Sequence, residues 1–190
     1  MSQADRDKWN QRYAEDSYRK SNPVDLLRDW LPQLSRGRAL DVACGKGRNA
    51  LFLAEAGFRV DAIDISAVGL QQLAQQAEAR GLEINCIEHD LDDAYDFDRD
   101  YDLVVVMWYV NLPLITRLCD CLAPGGFLLC EEHLRVDEAV IGPENPRFRV
   151  APGALREALA SLELLHYEES VANVDDGRIA SARAVARRNR

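Results

Sequence analysis

Between Asp41 and Ala50 the chain reads Asp-Val-Ala-Cys-Gly-Lys-Gly-Arg-Asn-Ala. Glycines at 45 and 47 let a backbone turn tightly and approach a ligand closely. A helix that starts behind such a turn presents free amide groups to ligand oxygens. Gly45-x-Gly47-x-x-Ala50 satisfies the dinucleotide fingerprint G-x-G-x-x-G/A, and Asp64 follows at the end of the next apolar run. Asp41 points to a different ligand. A carboxylate inside a buried strand is costly unless it is hydrogen-bonded or paired. A ligand with an amino acid head gives that charge a use, through its ammonium or through amides that Asp41 orients. The alternative is a carboxylate that only braces the loop. A P-loop is excluded, because the G-x-x-x-x-G-K-[ST] spacing is absent.

Other residues could do chemistry. Trp9 and Tyr13 are four apart and share a helix face, either as a packed stripe or as an aromatic cover for a cationic ligand. Trp108 and Tyr109 follow an apolar strand, and His133 follows another. Each is either a ligand contact or part of the sheet's own packing. Asn111 reads as a helix N-cap. Arg147 and Arg149 lie in a proline-flanked segment and, with Lys46 and Arg48, are either attractors for an anion or solvated surface charge. Asp96-x-Asp98-x-Asp100 imitates a calcium loop but then has Tyr101 for the required glycine and Met107 for the required glutamate. The histidines and the five cysteines (Cys44, Cys86, Cys119, Cys121, Cys130) have no metal-ligand spacing. The cysteines read as reduced thiols.

The elements that must position these residues alternate. Strands are expected at Arg38–Ala43, Phe58–Ile63, Leu82–Glu88, Tyr101–Met107 and Phe127–Cys130. Helices are expected at Asn49–Ala56, Ala67–Arg80 (with Ser66 as N-cap), Leu112–Leu122 and Pro152–Ala160. Such alternation implies right-handed crossovers and a parallel sheet covered on both faces. Leu162–Val171 and Arg178–Ala186, joined by Asp175-Asp176-Gly177, read as a hairpin, so one strand there is antiparallel. Two helical stretches, Asp5–Tyr18 and Val24–Leu31, precede the sheet.

With these residues in place, the chain resembles class I S-adenosylmethionine-dependent methyltransferases. Asp41-x-Ala43-x-Gly45-x-Gly47 is similar to their first motif, with Ala43 in place of the first glycine. The resemblance implies that Asp64 holds the ribose hydroxyls and that Asp90-Leu91 reads adenine. Leu122-Ala123-Pro124-Gly125-Gly126 is similar to the turn before their fifth strand. Gly47-Arg48-Asn49-Ala50, Trp9-Asn10-x-Arg12-Tyr13 and the Phe148, Pro152-Gly153, Leu155-Arg156 segment resemble a small bacterial branch that includes tellurite-resistance methyltransferases.

The resemblance implies one Rossmann-like α/β domain over residues 1–190. It has a doubly wound, seven-stranded sheet, mostly parallel, with one antiparallel strand near the C-terminus. Residues 1–35 are expected as a helical lid and about 134–152 as a substrate-side insert. The expected cofactor is S-adenosyl-L-methionine, leaving S-adenosyl-L-homocysteine. Its expected contacts are Trp9, Arg12, Tyr13, Asp41, Ala43, Cys44, Gly45, Gly47, Asn49, Asp64, Ile65, Ser66, Asp90, Leu91 and Met107. Expected substrate contacts are Trp108, Tyr109, His133, Arg147 and Arg149. No side chain is assigned a catalytic role and no metal is expected. The acceptor is expected to be a small molecule with a soft or anionic nucleophile. A nicotinamide-dependent oxidoreductase and a non-catalytic binder of the same cofactor are the alternatives.

Composition bounds the partners. The 190 residues are 47% hydrophobic and 29% charged, an ordinary globular mix. A net charge of −9 argues against nucleic acid or anionic lipid as a partner. No apolar run reaches the roughly 20 residues of a membrane span, and the polar N-terminus lacks a signal-peptide core, so a cytoplasmic protein is expected. The charge is uneven: from Glu88 to Asp102 there are eight acids and one arginine.

Overall fold

The computed structural model describes residues 3–15 and 22–189. Two helices, α1 (Gln3–Ala14) and α2 (Asp25–Trp30), precede the sheet. Then come β1 (Arg38–Val42), α3 (Arg48–Glu55), β2 (Arg59–Asp64), α4 (Ala67–Ala79) and β3 (Ile84–Glu88). The second half holds β4 (Tyr101–Met107), α5 (Leu112–Leu118), β5 (Leu122–His133), α6 (Ala154–Ala158), β6 (Glu163–Val174) and β7 (Gly177–Arg187).

Seven strands form one sheet in the order β3-β2-β1-β4-β5-β7-β6. β1 to β5 pair in parallel, and β7 runs antiparallel to both of its neighbours. The order reverses at β1, which lies between β2 and β4, so the crevice at its carboxyl end is where a doubly wound sheet binds ligands. β1 and β4 are almost wholly buried, as their continuous apolar runs require. Two cores flank the sheet. One packs Val104, Val106, Leu128 and Cys130 against α5 and α6. The other packs Val105, Met107 and Leu129 against α2, α3 and α4.

The expected elements are present, with shifted ends. The chain leaves β1 at Ala43, which adopts a left-handed φ of 54° and so cannot extend the strand. β5 starts at Leu122, earlier than expected, because Gly126 lets its backbone press against β4; a Cβ there would sit 2.7 Å from the Tyr101 carbonyl oxygen. α5 therefore gives way to a short 3-10 turn, Cys119–Cys121. Ser66 caps α4 by accepting the Gly69 amide, and Asn111 caps α5 by accepting the Leu114 amide. The expected N-terminal helix is present as α1; positions 16–18 of that expectation lie outside the described residues.

Candidate active site

The loop after β1 is held by charge. Asp64, the last residue of β2, accepts the Gly45 amide on one oxygen and the Ser66 amide on the other, each at 2.8 Å. Burial pushes the Asp64 carboxyl above the ordinary carboxylate range, against amides from Ser66, Gly45 and Ile65 that favour its charge. Asp41 lies deeper, 1% exposed, where the Ala50 amide donates to it. Its Oδ2 is buried with no hydrogen-bond partner among the described residues. Burial raises its carboxyl to about 7. Gly45 and Gly47 take φ of 60° and 78°, and Ala43 shares that left-handed region.

Helix α1 lies across this loop. A Cβ at Gly45 would come 2.7 Å from the Tyr13 hydroxyl oxygen, so only glycine allows this approach. Asn10 Oδ1 accepts the Ser66 hydroxyl at 2.7 Å and the Val68 amide at 3.3 Å, and Gln72 donates to the Tyr13 carbonyl at 2.9 Å. Trp9 stacks on Tyr13 with ring centroids 5.6 Å apart, and the Arg12 guanidinium stands 5.2 Å from the Trp9 ring. Arg6 pairs with Glu88 at the end of β3. Nearby, Asp90 accepts the Asp92 amide at 3.0 Å, and Leu91 is buried.

The other expected residues are distributed differently. Cys44 and Ile65 are buried beside the loop, and Met107 lies in the core next to Trp108. Asn49 uses its Oδ1 on the Val24 amide at 3.1 Å, so it braces the segment before α2. Trp108 and Tyr109 pack with opposite faces of the sheet. Trp108 takes a φ of 65° and donates its amide to the Glu131 carbonyl at 2.7 Å, and its ring centroid lies 4.4 Å from that of His133. Tyr109 turns toward the acidic loop, its hydroxyl 3.4 Å from Asp92. Arg149 donates to the carbonyls of Pro143, Leu134 and Ile141, a strap for its own loop. Arg147 is exposed beside the Phe148 ring. Neither arginine joins the glycine loop in any of these contacts.

Sequence reasoning missed two buried acids on β5. Glu131 pairs with Arg183 across the β5–β7 register at 2.9 Å. Glu132 is fully buried; its Oε1 accepts the Tyr109 amide, and its Oε2 has no partner among the described residues. Burial raises both carboxyls. The signal was present: two acids end the apolar run Leu128-Leu129-Cys130, and Arg183 interrupts the apolar alternation of β7. Among the described residues no group of His, Cys, Asp or Glu has a metal-holding arrangement, and all five cysteines are free. No helix among them is long and apolar enough to cross a membrane.

Comparison with known proteins gives these features a context. The chain is 31% identical over 136 residues to a putative methyltransferase, YqeM, of Bacillus subtilis, covering 65% of this chain and 54% of that one. It is 28% identical over 145 residues to a probable S-adenosyl-L-methionine-dependent methyltransferase, TehB, of Haemophilus influenzae, covering 73% and 50%. It spans about half the length of these curated relatives. The crystal structure of TehB from Haemophilus influenzae superposes with a TM-score of 0.79 at 23% identity, covering 95% of this chain and 67% of that one. The N-methyltransferase NodS of Bradyrhizobium japonicum, in complex with S-adenosyl-L-homocysteine, superposes with a TM-score of 0.74 at 18% identity, covering 97% and 98%. The fold is thus the Rossmann-like fold of these enzymes. The model of the tellurite resistance protein TehB family matches residues 8–184, and the chain belongs to that family.

Proposed function

We propose that the chain moves a methyl group from S-adenosyl-L-methionine to a small-molecule acceptor with a soft or anionic nucleophile, leaving S-adenosyl-L-homocysteine. One observation carries this reading: the crevice at β1 and β2 keeps acceptor capacity in reserve where a cofactor with ammonium and ribose groups needs it. Asp41 Oδ2 is buried without a hydrogen-bond partner among the described residues. Asp64 has about four acceptor positions as a carboxylate, of which the amides of Gly45, Ser66 and Ile65 use three. Family membership supports the same reading.

In this reading Asp41 answers the ammonium of the cofactor and Asp64 its ribose. Asp90 and Leu91 flank the adenine. Trp9, Arg12 and Tyr13 on α1 form a lid that excludes water. When bound, the cofactor supplies a methyl group already activated by a cationic sulfur. The chain's residues then contribute alignment and exclusion of water. A thiolate or an oxyanion, such as a tellurite- or selenite-like species, has a free lone pair and needs no general base.

Calorimetry with S-adenosylmethionine tests the reading, and micromolar binding is the expected result. No heat for it, with clear heat for NADH, would move the chain to the oxidoreductases. Production of S-adenosylhomocysteine with a panel of thiols, selenite and tellurite separates an enzyme from a binder.

A further inference from the structure

At the carboxyl ends of β4 and β5 lies a cavity of about 360 Å³ that is open to solvent. Its wall includes Asp25, Arg48, Glu131 and Arg183, with Trp108 and Val24 as apolar surface. The charges on this wall balance, but their hydrogen bonds do not. Asp25 is paired with Arg28 at 2.8 Å, and Glu131 with Arg183 at 2.9 Å. Arg48 is half-buried and feels the charges of Asp41 and Glu131, but its guanidinium has no hydrogen bond among the described residues. Two arginines thus face two acids on this wall, and of the four Arg48 is the one whose side chain has no hydrogen-bonded partner among the described residues. A guanidinium partly removed from water is poorly satisfied until an acceptor arrives, and its planar fork matches a carboxylate.

Size narrows the occupant. One water takes roughly 30 Å³ of liquid. A bare oxyanion of four heavy atoms would leave most of this cavity empty. An anion with a short carbon body would fill it, with the body against Trp108 and Val24. Position narrows the role. Arg48 follows Gly47 directly, and Trp108 directly follows β4, the strand beside β1. The cavity therefore adjoins the glycine loop.

We propose that this cavity is the acceptor pocket and that it takes a small organic anion whose carboxylate is held by Arg48. The inference rests on the methyltransferase reading for its role, and on the cavity alone for its ligand.

The test titrates 3-mercaptopropionate and its neutral amide into the protein, with and without saturating S-adenosylhomocysteine. The acid is expected to bind at least tenfold more tightly than the amide. Arg48→Gln should reduce that preference to within twofold, and Arg48→Lys should retain part of it. Affinity for S-adenosylhomocysteine should change less than twofold in either variant. No preference in the native chain, or an undiminished one in Arg48→Gln, would overturn the proposal. So would selenite binding as tightly as the mercapto acid, or loss of S-adenosylhomocysteine affinity in Arg48→Gln, which would assign Arg48 to the cofactor. Because the titration is also run without S-adenosylhomocysteine, failure to bind that molecule sinks the methyltransferase reading and leaves the pocket separately tested.

Discussion

The two ends of the parallel sheet both carry buried acids, yet they treat them in opposite ways. At the amino end Asp61 receives Asn85, the Tyr101 hydroxyl and two nitrogens of Arg38. Burial alone would raise its carboxyl, but these donors outweigh burial and hold it below the ordinary range. Arg38 also reaches Asp98 and Asp100, and its amide donates to Asp102 at 2.7 Å, which ties down much of the acidic loop. At the carboxyl end Asp41, Asp64, Glu131 and Glu132 are all raised by burial. Asp41 and Glu132 each keep one oxygen without a hydrogen-bond partner among the described residues. Two residues there, Ala43 and Trp108, hold left-handed backbone that L side chains resist. One end spends its polar groups on stability. The other leaves them less fully bonded, at the end where the proposed cofactor would sit.

This contrast can be broken at either end. The largest effect is expected at Asp61. Asp61→Ala leaves Asn85 and the Tyr101 hydroxyl without this acceptor and Arg38 with only Asp98 and Asp100, and should lower the unfolding free energy by about 2–4 kcal/mol. Urea denaturation measures this, and cofactor affinity of the folded variant should stay within twofold.

The next effect depends on pH. Asp41 titrates near 7 in the folded chain and near 3.9 when unfolded. The folded state therefore keeps a proton that the unfolded state has lost. Stability without cofactor should fall as pH rises from about 4 to about 7, by up to about 1.4 kcal/mol per unit. Asp41→Asn removes this loss, so its stability advantage should grow across that window and level off above it. A constant difference across the window would mean that Asp41 is already ionised in the folded chain.

The same substitution should weaken S-adenosylmethionine by about 1–3 kcal/mol through a lost charged hydrogen bond. In the native chain that affinity should drop about tenfold per unit below pH 7, because ionised Asp41 is the form that binds an ammonium; calorimetry at several pH values reads both effects. The smallest change is expected at Ala43. Glycine relieves about 1–2 kcal/mol of left-handed strain but loses about 0.4–1 kcal/mol through the freer unfolded chain. Ala43→Gly should therefore raise stability by roughly half a kcal/mol in thermal unfolding.

Local signals carried much of the fold into the sequence. Tyr101–Met107 is a strand at the expected residues because a central parallel strand is apolar throughout. Ser66 and Asn111 mark helix starts through their own side chains. Asp41, Gly45, Gly47 and Asp64 were legible because two charges and two glycines are out of place in an apolar strand-turn-helix unless they serve the loop. The lining of the cavity at β4 and β5 was less legible. Arg48, Asp25 and Arg183 meet only through tertiary folding, because their elements lie far apart in sequence. Arg149 looked like an available cation because nothing in its neighbours reveals the three carbonyls that surround it.

The position of β1 also has a kinetic consequence. Asp41 lies in register with Ala62 on one side and Val105 on the other. The first pairing closes a short crossover, but the second must wait for a much longer loop, and non-local pairings form slowly. A half-assembled β1–β2–β3 sheet would hold the glycine loop against Asp64 but would lack Trp108 and Glu131 opposite it. Cofactor should therefore grip only after the rate-limiting step of folding. Added S-adenosylmethionine would then slow unfolding and leave the refolding rate unchanged, giving the loaded protein a longer lifetime without a faster birth.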